Sequence, residues 1–192
     1  MDASIKQSTS RPVVPREPDR QFLTFRLAGE LFGLDIANIL EILEYQHLTE
    51  VPLMPAFIRG VMNLRGAVVP VVDLSARLGR GALPLGKRSS IVIVEAGTGD
   101  EEGGQPVGML VDQVDAVLAL PASAIEPAPQ FGQRLRTDFI AGMAQIDGLF
   151  IVLLDIGHVL SIEEMTLLAT LDYSPHESCN DKPDPGRPAR DA

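Results

Sequence analysis

Asp73 and Asp155 are the first residues to weigh for chemistry, because two carboxylates can divide acid and base work in a hydrolase. His158 and Ser161 lie close to Asp155 in sequence, which supplies the residue types of a nucleophilic triad. No Gly-x-Ser-x-Gly elbow surrounds that serine. His47, His158 and His176 are scattered. His176 and Cys179 have a ligand-like spacing but stand alone, whereas zinc takes four ligands. The glycine-rich stretch from Gly97 to Gly104 is acidic and would repel a phosphate. No metal, no cofactor and no enzymatic activity are expected.

The elements that carry the two aspartates come in duplicate. Phe57–Leu78 reads FIRGVMNLRGAVVPVVDLSARL, and Phe139–Leu160 reads FIAGMAQIDGLFIVLLDIGHVL. They align without a gap, with Phe57/Phe139, Ile58/Ile140, Gly60/Gly142, Gly66/Gly148, Asp73/Asp155 and Leu78/Leu160 identical. A repeat of this length implies two copies of one structural unit. Equivalent places in that unit make Asp73 and Asp155 two helix caps rather than one catalytic pair. The mismatches speak to function. Asn63-Leu64-Arg65 in the first copy stands opposite Gln145-Ile146-Asp147 in the second. A turn that accepts Arg65 in one copy and Asp147 in the other does not need that arginine for folding. Arg65 is therefore the leading candidate for a partner contact, since its planar fork pairs with carboxylates and stacks on apolar surfaces.

Composition narrows the classes. The chain has 192 residues and 45% hydrophobic residues, enough for one ordinary domain or two small ones. Its 17 Gly and 15 Pro suit a turn-rich β protein. A net charge of −10 and few aromatics (seven Phe, two Tyr, no Trp) argue against a nucleic acid partner. The lone Cys179 permits no disulfide within the chain, which points to an intracellular home. No signal peptide and no apolar run near 18 residues is visible, so direct membrane insertion is not expected.

Residues 1–20 and 173–192 read as disordered tails around a body over 21–172. Within the body, alternation at Leu23, Phe25 and Leu27, then Phe32, Leu34 and Ile36, predicts a hairpin. One helical turn and a strand through Glu41 to Tyr45 follow. Pro55 is expected to open a helical turn that Gly60 closes. Val61–Leu64 and Ala67–Val72 form a hairpin about Arg65-Gly66, with Pro70 marking a bulge or an edge. In the second copy, strands are expected over 90–95, 107–111, 114–120 and 149–154, with a hairpin turn at Asp147-Gly148. A capping box at Ser161 to Glu164 predicts a final helix over 162–171. Each copy then has about five short strands. A sheet that small hides its edges best by closing, which predicts two β-barrels side by side.

Phe32-Gly33-Leu34-Asp35-Ile36, Glu41-Ile42, Pro52, Pro55, Phe57-Ile58-Arg59-Gly60-Val61-Met62-Asn63-Leu64-Arg65-Gly66 and Val69-Pro70-Val71-Val72-Asp73-Leu74 together resemble the CheW family of chemotaxis coupling proteins. The resemblance covers residues 21–171. It implies a fold of two five-stranded, SH3-like β-barrel subdomains with a hydrophobic groove between them, short helices and a C-terminal helix. It implies no activity of its own. Its implied partners are the cytoplasmic tip of a methyl-accepting chemoreceptor and the regulatory domain of the histidine kinase CheA, met in the cytoplasm beside membrane receptor arrays. By the same resemblance, Glu41 and Arg65 are a paired acid and base on the binding surface. Asn63, Gly60 and Gly66 belong to the hairpin that presents them, although the glycines also read as plain turn residues. Ile39, Leu40, Ile42, Val61 and Leu64 suit either the core or the groove.

The leading expectation is thus a non-enzymatic adaptor in a chemosensory array. Leu43-Glu44, where the family often has Arg-Gly, and the long tails leave room for a coupling protein of twitching motility, surface sensing or cyclic-dinucleotide control. From a different class, a nucleic-acid-binding module of the OB type also uses a small barrel, but it needs a basic groove with stacking aromatics.

Overall fold

The computed structural model describes residues 18–96, 104–128 and 137–161. The helix expected over 162–171, most of the N-terminal tail and all of the C-terminal tail lie outside these residues. Strands β1 (Arg20–Leu27), β2 (Glu30–Asp35), β3 (Ile39–Glu44), β4 (Ile58–Leu64) and β5 (Ala67–Asp73) lead into helix α1 (Leu74–Arg77). Strands β6 (Ser90–Ala96), β7 (Gln105–Val111), β8 (Gln113–Leu120), β9 (Ile125–Glu126), β10 (Ile140–Ile146) and β11 (Leu149–Leu154) then lead into helix α2 (Ile156–Val159). The strands form two sheets, ordered β8-β1-β2-β11-β10-β9 and β3-β6-β7-β5-β4.

Chain length forces both sheets to curl. Strands β8 and β9 are the two edges of the first sheet, yet Leu120 and Ile125 are five residues apart. Five residues span at most about 18 Å, whereas six flat strands would be about 24 Å wide. The second sheet closes by the same device. Five residues after Glu44 ends β3, Thr49 pairs with Val61 on the outer edge of β4, through N–H···O bonds of 2.9 and 2.8 Å. The described fold is the two-subdomain β architecture that the repeat predicted.

The repeat is reproduced in detail. Hairpins β4–β5 and β10–β11 shift register at Ile58/Gly60 and at Ile140/Gly142. Both turns place a non-glycine residue and then a glycine at positive φ, Arg65-Gly66 and Asp147-Gly148. That is the backbone of a type I′ turn. Asp73 and Asp155 both cap the helix that follows, accepting N–H bonds from Ala76 (3.1 Å) and His158 (3.2 Å). Each carboxylate is engaged at its own helix end, and Asp73 is fully buried while Asp155 is part-exposed, which does not fit two carboxylates facing one open cleft.

The strand assignment differs from expectation in one respect. Strands β6 and β7 belong with the first repeat, not the second. The second repeat completes its sheet with β1 and β2 from the start of the chain: β11 runs parallel to β2 as β5 runs parallel to β7. Each unit therefore has the same strand order, but the hairpin that ends the first unit begins the chain in the second. Neighbour-by-neighbour reading along the sequence misses this, because parallel pairing needs a long connection and leaves no local mark.

Of two local expectations, one changes and one is narrowed. Gly60 closes no helical turn. It lies inside β4 at the register shift, where a Cβ would fall 2.5 Å from the Thr49 carbonyl oxygen. Its φ of +145° is itself costly for any other residue. Gly60→Ala is expected to cost about 1–3 kcal/mol, visible as a lower midpoint in urea. Pro70 is not at the bulge, but β5 is locally an edge there on its β7 side. It pairs with Val61, and the β5–β7 ladder starts one residue later at Val71, so the missing N–H faces no partner strand.

The interior has two parts. Phe22, Leu120, Ala144, Ile151 and Leu153 fill the first subdomain. A larger cluster holds Val69, Val71, Ile91, Ile93, Met109 and Leu110, together with Leu23, Phe25, Leu27, Phe32 and Leu34 of β1 and β2. Strand β1 thus buries both faces, Phe22 into one cluster and its odd-numbered apolar residues into the other. Thr24 is buried at the β1–β8 register shift, and its hydroxyl both donates to the Ala116 carbonyl (2.8 Å) and accepts its N–H (3.2 Å). No helix of the described residues is long and apolar enough to cross a membrane.

Candidate partner-binding site

Strands β3 and β4 are opposite ends of the second sheet, and closure brings them together. Arg65 sits first in the two-residue turn between β4 and β5, with φ +53°. Asn63 fixes that turn: its Oδ1 accepts the Gly66 N–H at 2.9 Å. Gly66 follows at φ +91°, and a Cβ there would meet nothing within 4 Å, so its conformation rather than its space is what requires glycine. From this tip the Arg65 guanidinium donates to Glu41 Oε2 at 2.9 Å, joining the turn to β3. The arginine side chain is 79% exposed and Glu41 is 29% exposed. The carboxylate is held against the barrel while the cation stands in solvent.

The apolar residues that sequence left open now separate. Leu40 (57% exposed) and Ile42 (44%) point outward from β3, and Val68 (71%) is exposed just past the turn. Ile39 and Leu64 are half-buried and pack on the core. Val61 is half-buried on β4, bonded to Thr49. Gly60 serves the bulge beneath. Glu41, Arg65 and Asn63 therefore meet on one rim, with the exposed Val68 paired opposite Asn63, while Leu40 and Ile42 alternate with Glu41 along β3 and face the other way; Ile39, Val61 and Gly60 lie further in.

Such a rim offers an exposed, oriented cation near the exposed Val68, an arrangement suited to gripping a protein surface. Its one carboxylate, Glu41, is paired with Arg65, and no Ser, Thr, Cys or His stands beside it in the group. At the other repeat, His158 Nδ1 lies 3.2 Å from Asp155 Oδ2, but the His158 side chain is largely in solvent and the Asp155 carboxylate, part-exposed, also caps α2. Among the described residues, no group of three or more His, Cys, Asp or Glu side chains could hold a metal ion.

Sequence reasoning missed Arg77. It is 8% exposed, its Nε donates to the Val159 carbonyl at 2.9 Å, and its guanidinium lies 5.3 Å from the Phe57 ring centre and 4.9 Å from that of Phe139. A signal existed: the repeat alignment sets this charged residue opposite the apolar Val159.

The family model of the CheW-like domain matches residues 21–164. The chemotaxis protein CheW of Klebsiella aerogenes is 35% identical over 149 residues, covering 78% of this chain and 86% of that protein. The CheW of Thermotoga maritima is 32% identical over 150 residues, 77% of this chain and 90% of that one. Protein FrzA of Myxococcus xanthus is 30% identical over 131 residues, 68% and 78% respectively. Among solved structures, the scaffolding protein TtCheW from Thermoanaerobacter tengcongensis superposes with a TM-score of 0.67 at 35% identity, over 75% of this chain and 94% of that one. With three quarters of its length under one family model and the duplicated barrel architecture in place, this chain belongs to the CheW-like family.

Proposed function

We propose that this protein couples a chemoreceptor's cytoplasmic tip to the regulatory domain of a CheA-type histidine kinase, and that Arg65, presented by Glu41 and Asn63, is a principal contact. Members of the family are chemotaxis scaffolds without catalytic activity, and this chain is one of them. The observation that carries the finer reading is the Arg65–Glu41 pair. Such a pair at an exposed turn contributes only about 0–1 kcal/mol to folding, and the other repeat folds with Asp147 in its place. A role in gripping a partner explains an arginine that folding does not need. Ile39, Val61, Gly60 and Gly66 contribute by shaping the rim.

The mechanism is positional. A scaffold that holds receptor and kinase at once passes a change in receptor state to the kinase through differing affinities for the two states. No nucleic acid takes part, and the protein works in the cytoplasm, reaching the membrane through its receptor.

Pull-down of the purified chain with a receptor cytoplasmic fragment and with the kinase tests this. Each partner is expected to be retained alone, and both in one complex. Failure with every chemosensory receptor and kinase of the host would refute it. A second reading within the family is coupling in a non-flagellar pathway, in which the same pull-down succeeds only with that pathway's receptor and kinase.

A further inference from the structure

Helices α1 and α2 end the equivalent halves of the repeat; Leu74, Ile156 and Val159 bring both into one core cluster, and a side-chain bond also joins them. Arg77, in the last turn of α1, donates to the main-chain carbonyl of Val159 in α2. In the repeat alignment, Val159 is the residue equivalent to Arg77 itself. The two rings that flank the guanidinium, Phe57 and Phe139, are likewise equivalent to each other. A group that touches its own counterpart, and stands between a pair of counterparts, lies where the equivalent corners of the two repeats meet.

Both flanking residues are anchored in the same way. The Phe57 carbonyl accepts the Asp73 N–H at 2.7 Å, and the Phe139 carbonyl accepts the Asp155 N–H at 2.9 Å. Each phenylalanine is thus tied to the residue that caps the helix of its own subdomain. One guanidinium therefore holds both capped corners at once. A second arginine at 159 would bring two like charges into one buried site. The repeat has Arg on one side and Val on the other, as that constraint requires. Arg80, just beyond α1, adds a tie further out, pairing with Glu30 and lying 5.5 Å from the Phe32 ring centre.

We propose that Arg77 is a positioning residue that fixes the angle between the two subdomains, and that joint engagement of receptor and kinase depends on that fixed angle. The second half rests on the function proposed above. Partners held by different faces of one rigid body keep a set geometry. If the body bends, each partner still binds, but the receptor's state is no longer transmitted.

The test uses the full chain carrying Cys179→Ser, with spin labels at Lys87→Cys and Ala119→Cys, exposed residues beside β6 and on β8. The arginine is replaced by methionine, which keeps length and apolar packing but has no fork. The distance between the labels is expected to be narrowly distributed with Arg77 and at least twice as broad with Arg77→Met. Affinity for each partner alone is expected to stay within twofold, while the receptor's effect on kinase activity falls at least fivefold. An unchanged distance distribution would overturn the proposal, as would full receptor control of the kinase in a broadened variant, or an equal loss of both single-partner affinities. Should Arg77→Met fail to fold, Phe139→Leu removes one flanking ring and is judged by the same readings. Absence of any partner binding by the unsubstituted chain would refute the proposed function, while the label distances would still decide whether Arg77 locks the angle.

Discussion

Arg65→Ala is expected to weaken binding to the receptor fragment or the kinase regulatory domain by about 30-fold or more, equivalent to about 2 kcal/mol, the range of an interface hot spot. It should do so in a protein whose melting temperature moves by no more than about 2–3 °C. The two halves of that result must occur together. The Arg65 side chain is 79% exposed and among the described residues bonds to a carboxylate in contact with water, so its loss is compensated by solvent. The turn persists because its geometry comes from Asn63 and Gly66 rather than from the arginine. Arg65→Lys should recover only part of the affinity, since a point charge does not replace a planar fork. Isothermal titration beside thermal denaturation checks both. A folded alanine variant that binds normally would show the arginine to be a solvated turn charge.

Asp73→Ala is expected to have the largest effect on stability, about 3–5 kcal/mol, and its repeat counterpart Asp155→Ala only about 1 kcal/mol. Asp73 is completely buried. One of its oxygens accepts the Ala76 N–H and the other the Leu83 N–H at 2.8 Å, with the Arg59 guanidinium 3.8 Å away. Alanine would leave two amides and a nearby cation without their acceptor. Asp155 accepts one described N–H, and its side chain is 40% exposed, so water can take its place. Against a total stability of about 5–15 kcal/mol, the first substitution threatens folding and the second does not. Chemical denaturation of the two variants measures the difference. Equal losses would mean that the two caps do the same work despite their different burial.

Much of this was legible in the chain, for definite physical reasons. Turn glycines and capping aspartates act through backbone geometry that a sequence repeat must preserve, so the Asp147-Gly148 and Arg65-Gly66 turns and both caps could be placed from residues alone. The alternation in Leu23, Phe25 and Leu27 reports burial on one face, and those side chains are buried. What could not be read depends on contacts across the chain. The partnership of β2 with β11 joins the two ends of the body, and Gly60 is needed because a distant carbonyl, that of Thr49, presses against it. Arg77 has an ordinary charge at an ordinary helix end, and only packing of the two repeats buries it. At the candidate site, residue types and turn were readable. Which face of β3 looks outward, separating Leu40 and Ile42 from Ile39, is set by its pairing with β6, and Leu64 packs inward from β4.

The most direct test of the central claim is kinase autophosphorylation in vesicles that carry the host receptor, measured with and without this chain. A non-catalytic coupler predicts that the kinase alone, or with receptor alone, is slow, that adding the chain raises its rate at least tenfold, and that receptor ligand then shifts that rate. The same kinase rate with and without the chain, at concentrations that saturate both partners, would contradict the account.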